Sequence, residues 1–175
     1  RFLQKFVEEH RNQSRGSGHG STFRCLDWDG STLEGIFRSI CGLKDYLTYA
    51  SPKHQRINRN PAAPFHIQFY ADAHTMAEVV PHGVYDLVIA NSVFEHLHQP
   101  FVAMSQIALV LKPGGALVWH TPFMYPFHGV PRDYFRYTHQ GARALAEGAG
   151  LEVELVRRDG GYLAVVGAVL GYTNG

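Results

Sequence analysis

The sequence predicts an α/β fold in which a mainly parallel, Rossmann-like sheet carries helices on both of its faces. Apolar, strand-like runs alternate with helix-length segments, which is the pattern that builds a parallel sheet. The run from Tyr85 to Asn91 is almost continuously apolar, as expected of a strand buried on both faces. A length of 175 residues suits one domain. We therefore expect a single sheet with one main core.

The amino-terminal part is expected to precede the domain. In the first ten residues Phe2, Phe6 and Val7 lie on one helical face, which predicts a short lead helix. The Gly- and Ser-rich segment from Asn12 to Ser21 predicts a flexible linker. We therefore assign residues 1–21 to helix and linker and residues 22–175 to the α/β domain. The chain begins at Arg1 rather than methionine, so we expect truncation at both ends.

The predicted strands follow the apolar runs in chain order. They are Phe23–Leu26, Asp45–Ala50, His66–Tyr70, Tyr85–Asn91, Gly115–Thr121 and Leu151–Val156. Between the fourth and fifth strands, apolar residues from Phe101 to Leu111 mark a helix. Pro113 cannot continue that helix, and Gly114 or Gly115 can take a positive φ after it. A second helix is predicted at Arg143–Gly148, before the last strand.

Charge, hydropathy and cysteine content exclude several classes of protein. Lys and Arg (16) nearly balance Asp and Glu (15), so no basic field favours nucleic acid or anionic lipid. The longest apolar run, Tyr162 to Tyr172, is shorter than a membrane span requires. Cys25 and Cys41 are predicted to be buried thiols, which favours a reducing intracellular compartment such as the cytoplasm or an organelle matrix.

The segment "YDLVIANSVFEHLHQP…VLKPGGALVWHTP" resembles the class I S-adenosylmethionine-dependent methyltransferases. The resemblance rests on Asp86 at the start of the strand, the "FEHL" turn from Phe94 to Leu97, and the "LKPGG" hinge. The later segment from His128 to Val153 resembles a subset that acts on small molecules or sugars. The resemblance implies S-adenosylmethionine as cofactor, a small-molecule or sugar acceptor, and a last strand beyond Gly175.

The donor loop after the first strand departs from the family pattern. Asp27 matches the family's acidic position, but in "DWDGSTLEG" only Gly30 remains of the expected glycines. The other glycine positions hold Asp29, Ser31 and Leu33. Glycines there allow the backbone to approach a ligand without a Cβ. The second strand also offers Tyr49 or Ala50 where the family has a ribose-binding acid. We therefore expect weak or absent binding of S-adenosylmethionine.

Three further residues complete the predicted cofactor site. The resemblance implies that Asp72 accepts the adenine amino group, that the backbone of Ala73 faces the ring, and that Asn91 lines the transfer pocket. Asp72 follows a strand at its carboxyl end, where ligands bind in open α/β sheets. Other interpretations stay open, because Asp27 also suits a helix cap and Asn91 also suits a polar turn.

The candidate catalytic residues lie in two loops. His128, Asp133 and Tyr134 follow the fifth strand and are candidate general bases, since methylating a hydroxyl requires removal of its proton. His96 in the "FEHL" turn is implied to orient the acceptor. The same aromatic loop, with Tyr137, equally suits a packing lid, which we expect to cover the carboxyl ends of the strands near His128.

No metal site is predicted, and two functions remain open. His96, His98, His120 and His128 do not match the spacing of compact zinc motifs. A nicotinamide-binding enzyme is excluded because G-x-G-x-x-G is absent after the first strand. The remaining alternative to a methyltransferase is an inactive methyltransferase-like domain that binds protein partners in a larger assembly, since fold alone does not decide function.

Overall fold

The computed structural model describes residues 23–28, 43–49, 69–129, 132–158, 160–161 and 166–167. These residues contain a five-stranded sheet in the order β3-β2-β1-β4-β5. Its strands are β1 (Arg24–Trp28), β2 (Leu43–Tyr49), β3 (Phe69–Ala71), β4 (Tyr85–Asn91) and β5 (Leu111–His120). Every neighbouring pair is parallel. The predicted parallel α/β fold is therefore confirmed, with the first strand at its centre.

Beside the sheet, the described residues include two α-helices and two short 3₁₀ turns whose bounds are defined, and residues 166–167 are also helical. The helices are α1 (Pro100–Val110) and α2 (His139–Gly148), and the turns are Met76–Glu78 and Phe94–His96. Pro100 stands at the start of α1, where its missing N–H costs no hydrogen bond. Helix α2 begins four residues earlier than predicted, because the Thr138 hydroxyl caps it by accepting from the Gly141 amide at 3.0 Å.

The core lies on both faces of the two central strands. Leu26 and Trp28 of β1 join a cluster with Met104 and Ile107 of α1, and all four are at most 1% exposed. The alternate residues, such as Ile89 of β4, point to the opposite face and are equally buried. The continuous apolar pattern of β4 therefore reflects burial on two sides, as the sequence predicts.

The "LKPGG" hinge confirms the expected role of its glycines, although it lies within the bounds of β5. Gly114 has φ +74°. A Cβ on Gly115 would lie only 2.8 Å from the backbone oxygen of Tyr85. The pairing of β4 with β5 is irregular between Tyr85 and Leu87. The first glycine thus allows the turn, and the second allows close contact between the strands.

Two strand predictions need correction. Leu151–Val156 is not a strand, since residues 151–158 form no ladder in the described part of the chain. The Val153 carbonyl instead accepts from the Arg143 side chain of α2 at 3.5 Å, and Leu155 is 52% exposed. Strand β1 extends to Trp28, so Asp27 lies inside the strand rather than after it.

Several predictions fall on residues outside the described part, namely the lead helix and linker within residues 1–22, Gly30 with the rest of its loop, and Ala50.

The prediction of a free thiol at Cys25 is wrong, because this fully buried residue is disulfide-bonded. Cys41, the other cysteine, also lies outside the described residues. Cys25 therefore gives no support to a reducing compartment. No helix in the described ranges has the length and apolarity that a membrane span requires.

Candidate functional site

Of the predicted cofactor residues, the structure brings Asp27, Asp72 and Asn91 to the carboxyl ends of the parallel strands, along one edge of the sheet. Trp28 of β1 pairs with Ala90 of β4, and Tyr49 of β2 pairs with Ala71 of β3. Asp72 therefore follows β3, while Asp27 and Asn91 lie near the ends of neighbouring strands. Ligands of open α/β sheets bind at this edge.

The strand ends differ in their polar groups. Asp27 is 3% exposed and Asn91 is half-buried. Strand β2 ends at Tyr49, level with Ala71, so its last residue supplies no carboxylate. The missing ribose acid and the roles of Asp27 and Asn91 therefore stay predictions.

Asp72 forms a compact turn with His74. Its Oδ1 accepts from the His74 amide at 2.8 Å and lies 2.6 Å from the His74 imidazole Nδ1. Burial raises the pKa of Asp72, but the hydrogen bonds from His74 outweigh burial and leave the pKa below its ordinary value. Ala73 is fully buried. Asp72 is therefore ionised at the sheet edge, and its contact with adenine stays a prediction.

The turn after β4 carries a buried carboxylate that sequence reasoning missed. Ser92 takes φ +53° and donates its amide to the His120 carbonyl at 2.9 Å, which directs the chain into the Phe94–His96 turn. Glu95 is fully buried. Its Oε2 accepts from the Thr121 hydroxyl at 3.4 Å, whereas Oε1 has no hydrogen-bond partner among the described residues. The available signal was a charged residue next to Phe94 in a short turn that begins soon after a buried strand.

Two predicted histidines face this carboxylate. The Nε2 atoms of His96 and His128 lie 4.0 and 3.8 Å from Glu95 Oε1, and the two rings are 4.9 Å apart. The Nδ1 atom of His96 lies 2.6 Å from the Arg132 carbonyl, and that of His128 lies 3.1 Å from the Pro126 carbonyl. Because a carbonyl oxygen only accepts, these contacts favour the tautomer with the proton on Nδ1 in both rings, and Arg136 Nη2, a donor, lies farther from His128 Nδ1 at 3.5 Å. In the neutral rings the Nε2 lone pairs therefore remain available beside Glu95.

Asp133 holds the loop and is a poor proton acceptor. Its side chain is 3% exposed and binds both terminal nitrogens of Arg136, with Nη2 at 2.6 Å from Oδ2. It also accepts from the His128 amide at 3.0 Å. The Arg136 hydrogen bonds hold the pKa of Asp133 well below its usual range, against the opposing effect of burial. These contacts favour a positioning role for Asp133, and its role as a general base stays a prediction.

The loop after β5 docks on the turn after β4, as predicted for a lid at this edge. The amides of Tyr134 and Phe135 donate to the Glu95 carbonyl at 2.7 and 3.3 Å. The Tyr137 hydroxyl donates to the Phe94 carbonyl at 3.1 Å. Burial, followed by the charge of Glu95, raises the pKa of Tyr137, so its hydroxyl stays a donor. Tyr134 is 42% exposed, and its catalytic role stays a prediction.

The other two histidines do not join the cluster. The His98 ring lies 4.3 Å from that of His74, and His120 Nδ1 lies 3.3 Å from the Ser92 hydroxyl. Glu95, His96 and His128 each offer one ligand atom, and these atoms lie within 4.8 Å of one another. Two of the four histidines considered from sequence are thus brought together, with a carboxylate as third group.

Comparison with known families finds one matching model, a methyltransferase domain, over residues 16–147. This match covers well over half of the chain and includes the Phe94–His96 turn and Asp133. A comparison with curated proteins finds no match.

Solved methyltransferases share the fold at low sequence identity. An S-adenosylmethionine-dependent methyltransferase from Archaeoglobus fulgidus is 16% identical with a TM-score of 0.53, over 84% of this chain and 68% of its own. One from Mesorhizobium loti is 15% identical with a TM-score of 0.54, over 82% of this chain and 81% of its own. Phosphoethanolamine N-methyltransferase 2 from Haemonchus contortus, solved with S-adenosylmethionine, is 16% identical with a TM-score of 0.51, over 82% of this chain and 36% of its own. The chain spans 61% of another matching structure, from Galdieria sulphuraria.

Proposed function

This chain belongs to the methyltransferase domain family of class I S-adenosylmethionine-dependent proteins, and from that membership we propose that it methylates a hydroxyl group of a small molecule or sugar. One observation carries the proposal. Two imidazole nitrogens and a buried carboxylate converge beside the carboxyl end of β4, where ligands of such sheets bind. This arrangement suits removal of a proton from an acceptor hydroxyl.

His128 is the proposed general base. When bound, S-adenosylmethionine supplies the electrophilic methyl group. During transfer of that methyl group to the acceptor oxygen, with S-adenosylhomocysteine as the leaving group, His128 Nε2 would take the hydroxyl proton. The Pro126 carbonyl holds the other ring proton, and the Glu95 carboxylate at 3.8 Å stabilises the resulting imidazolium. His128 is better placed than His96, because its side chain is 34% exposed and that of His96 only 18%.

A transfer assay tests this assignment. The protein is incubated with S-adenosylmethionine and a panel of hydroxylated small molecules and sugars. The rate at which S-adenosylhomocysteine forms is then measured. We expect His128→Ala to lower turnover by about 10²–10³-fold, the range for loss of a general base. His82→Ala is the control, since His82 is an exposed histidine before β4. Equal turnover of His128→Ala and the parent would refute the role of His128.

We further propose that the donor site is weakened. Asp29, Ser31 and Leu33 add side chains where backbone contact is needed, and the described end of β2 lacks a carboxylate. A charge-assisted hydrogen bond contributes about 1.5–3 kcal/mol, and each 1.4 kcal/mol changes affinity about tenfold. Loss of the ribose acid alone thus corresponds to a reduction of about tenfold to a hundredfold.

Calorimetric titration with S-adenosylmethionine tests the weakened donor site. We expect Asp29→Gly, Ser31→Gly and Leu33→Gly, combined with Ala50→Asp or Tyr49→Asp, to increase affinity. The same glycine variant with Ala50→Asn is the control, because it adds a polar group without charge. Micromolar binding by the parent protein would contradict the weakened site. Equal affinities of the Asp and Asn variants would contradict the role of the ribose acid.

One observation favours a second candidate, an inactive methyltransferase-like domain that binds protein partners in an assembly. The loop after β5 exposes apolar side chains, and such contiguous groups mark interaction surfaces. They are Phe123 at 56%, Met124 at 46%, Tyr125 at 44% and Phe127 at 81% exposed. Absence of donor binding and of transfer, together with retained folding, would favour this candidate.

A further inference from the structure

We infer that Glu95, His96 and His128 form a binding site for a divalent transition-metal ion of the class that Zn²⁺ and Co²⁺ represent. Each residue offers one ligand atom, and these atoms all lie within 4.8 Å of one another. Glu95 Oε1 faces the Nε2 atoms of both histidines. Two imidazoles and one carboxylate form a known three-ligand set for such ions. Metal binding requires no methyl transfer, so this inference goes beyond the proposed function.

The distances suit an ion after a small contraction. Zinc bonds of about 2.0–2.1 Å place tetrahedral ligand atoms about 3.4 Å apart. Glu95 Oε1 lies 3.8 Å from His128 Nε2 and 4.0 Å from His96 Nε2. These two separations therefore need to shorten by about 0.4 to 0.6 Å to reach the zinc geometry. The two imidazole ligand atoms, which lie within 4.8 Å of each other, also need to approach, and rotations of the three side chains would have to supply these changes.

The outer hydrogen bonds already orient both rings for metal binding. The Nδ1 proton of His96 is directed at the Arg132 carbonyl at 2.6 Å, and that of His128 at the Pro126 carbonyl at 3.1 Å. Metal-binding histidines almost always donate their second ring N–H in this way, which fixes the tautomer and directs the lone pair to the ion. Both Nε2 lone pairs are thus available on the side of Glu95.

The buried oxygen of Glu95 is the second, independent observation. Glu95 is fully buried, and its Oε1 has no hydrogen-bond partner among the residues that the structure describes. A buried polar oxygen without a donor is energetically costly. A cation bound between Oε1 and the two imidazoles would remove this cost. The partial exposure of His128, 34% of its side chain, leaves a path for the ion.

The ligand set also predicts selectivity. Imidazole nitrogen favours Zn²⁺, Co²⁺ and Ni²⁺, whereas Mg²⁺ and Ca²⁺ prefer sites made only of oxygen. Three protein ligands leave at least one coordination position open. His128 Nε2 cannot bind the ion and accept a proton at once, because both use the same lone pair. His128 therefore binds the ion in the metal-bound form of the protein and acts as a general base only in the metal-free form.

Titration of chelator-treated, dialysed protein with Co²⁺ tests the site, with the visible absorption of the bound ion as readout. We expect one Co²⁺ per chain and displacement by Zn²⁺ but not by Mg²⁺. Glu95→Gln and His128→Gln should each weaken Co²⁺ binding by about a hundredfold. Loss of an outer hydrogen-bond partner weakens metal binding by about tenfold to a hundredfold, and loss of a direct ligand should cost at least as much. His82→Gln and His98→Gln are matched controls, because both histidines lie outside the cluster and should bind Co²⁺ as the parent does.

The outcomes are separable. If Glu95→Gln fails to fold, the partly exposed His128→Gln still tests the site, and Zn²⁺ should raise the melting temperature of the parent but not of this variant. Absence of stoichiometric Co²⁺ binding, or equal affinity in the parent and both ligand variants, overturns the inference. Because no donor or acceptor is present, intact metal binding without methyl transfer would overturn only the proposed function.

Discussion

Replacing Arg136 with methionine is expected to release the loop that presents His128. The guanidinium binds the Asp133 carboxylate, and Asp133 in turn accepts from the His128 amide. The same guanidinium donates to the carbonyls of Tyr125 and Pro126, each at 3.2 Å from Nη2. Methionine keeps most of the aliphatic length but supplies no donor. The substitution therefore leaves a buried carboxylate without its cation.

The size of the effect follows from burial. The Asp133 side chain is 3% exposed and that of Arg136 is 24% exposed. Removing one partner of a buried ion pair costs about 3–5 kcal/mol, and the partial exposure of Arg136 favours the lower end, about 3 kcal/mol. Asp133→Asn also loses the pair, but it leaves no buried negative charge. The double variant should thus be more stable than the sum of the single effects implies.

Urea unfolding of the parent, the two single variants and the double variant measures this coupling. We expect a coupling free energy of at least about 1 kcal/mol, above the roughly 0.5 kcal/mol scatter of independent sites. Arg143→Met is the matched control. Arg143 forms an exposed ion pair with Glu147, at 45% and 53% exposure, which contributes about 0.5 kcal/mol or less. Additive effects of the Arg136 and Asp133 substitutions would refute the reasoning.

Two further predictions concern the hinge and the sheet edge. Gly115→Ala should destabilise the fold by about 1–3 kcal/mol in urea unfolding, because its Cβ would overlap the Tyr85 carbonyl at 2.8 Å. Gly83→Ala, in open space at φ +61°, should cost about 1 kcal/mol, and a larger loss there would contradict the contact argument. The pKa of Asp72 is lowered in the folded protein, because the hydrogen bonds from His74 outweigh the opposing effect of burial. Ionised Asp72 therefore stabilises the fold at pH values above the ordinary carboxylate pKa, and this stabilisation is lost as the pH falls through the folded-state pKa. Asp72→Asn should therefore narrow the stability difference between neutral and acidic pH, and an unchanged difference would argue against this contribution.

Much of the sheet could be predicted because its signals are local. Strand β4 has the predicted bounds, since a continuous apolar run flanked by turn residues admits few alternatives. The segment from Leu151 to Val156 alternates apolar and charged residues, as a half-buried strand does, but it forms no ladder with the described strands. A strand also needs a partner edge, and the pattern of a single segment carries no information about that partner. In the structure this segment instead contacts α2, through the hydrogen bond from Arg143 to the Val153 carbonyl.

The candidate site was only half predictable for a related reason. His96 and His128 were each identified from sequence, but their proximity depends on two loops that leave the same edge of the sheet. Hydrophobic patterns also treat Glu95 as a surface residue, because charged residues are rarely fully buried. Its burial follows from the Phe94–His96 turn, whose backbone the loop after β5 binds. Topology, rather than composition, creates the cluster.

The two halves of the site depend on different physical features and can therefore be lost separately. The proposed donor half requires backbone close to the ligand, so we propose that side chains in the glycine loop weaken it. The proposed acceptor half depends on Glu95 and two imidazoles, beside a loop that donates hydrogen bonds to the Phe94 and Glu95 carbonyls. None of these contacts requires the glycine loop. A chain that has lost methyl transfer can thus keep a ligand site at the same edge, and measuring donor and metal binding on one set of variants separates the two halves.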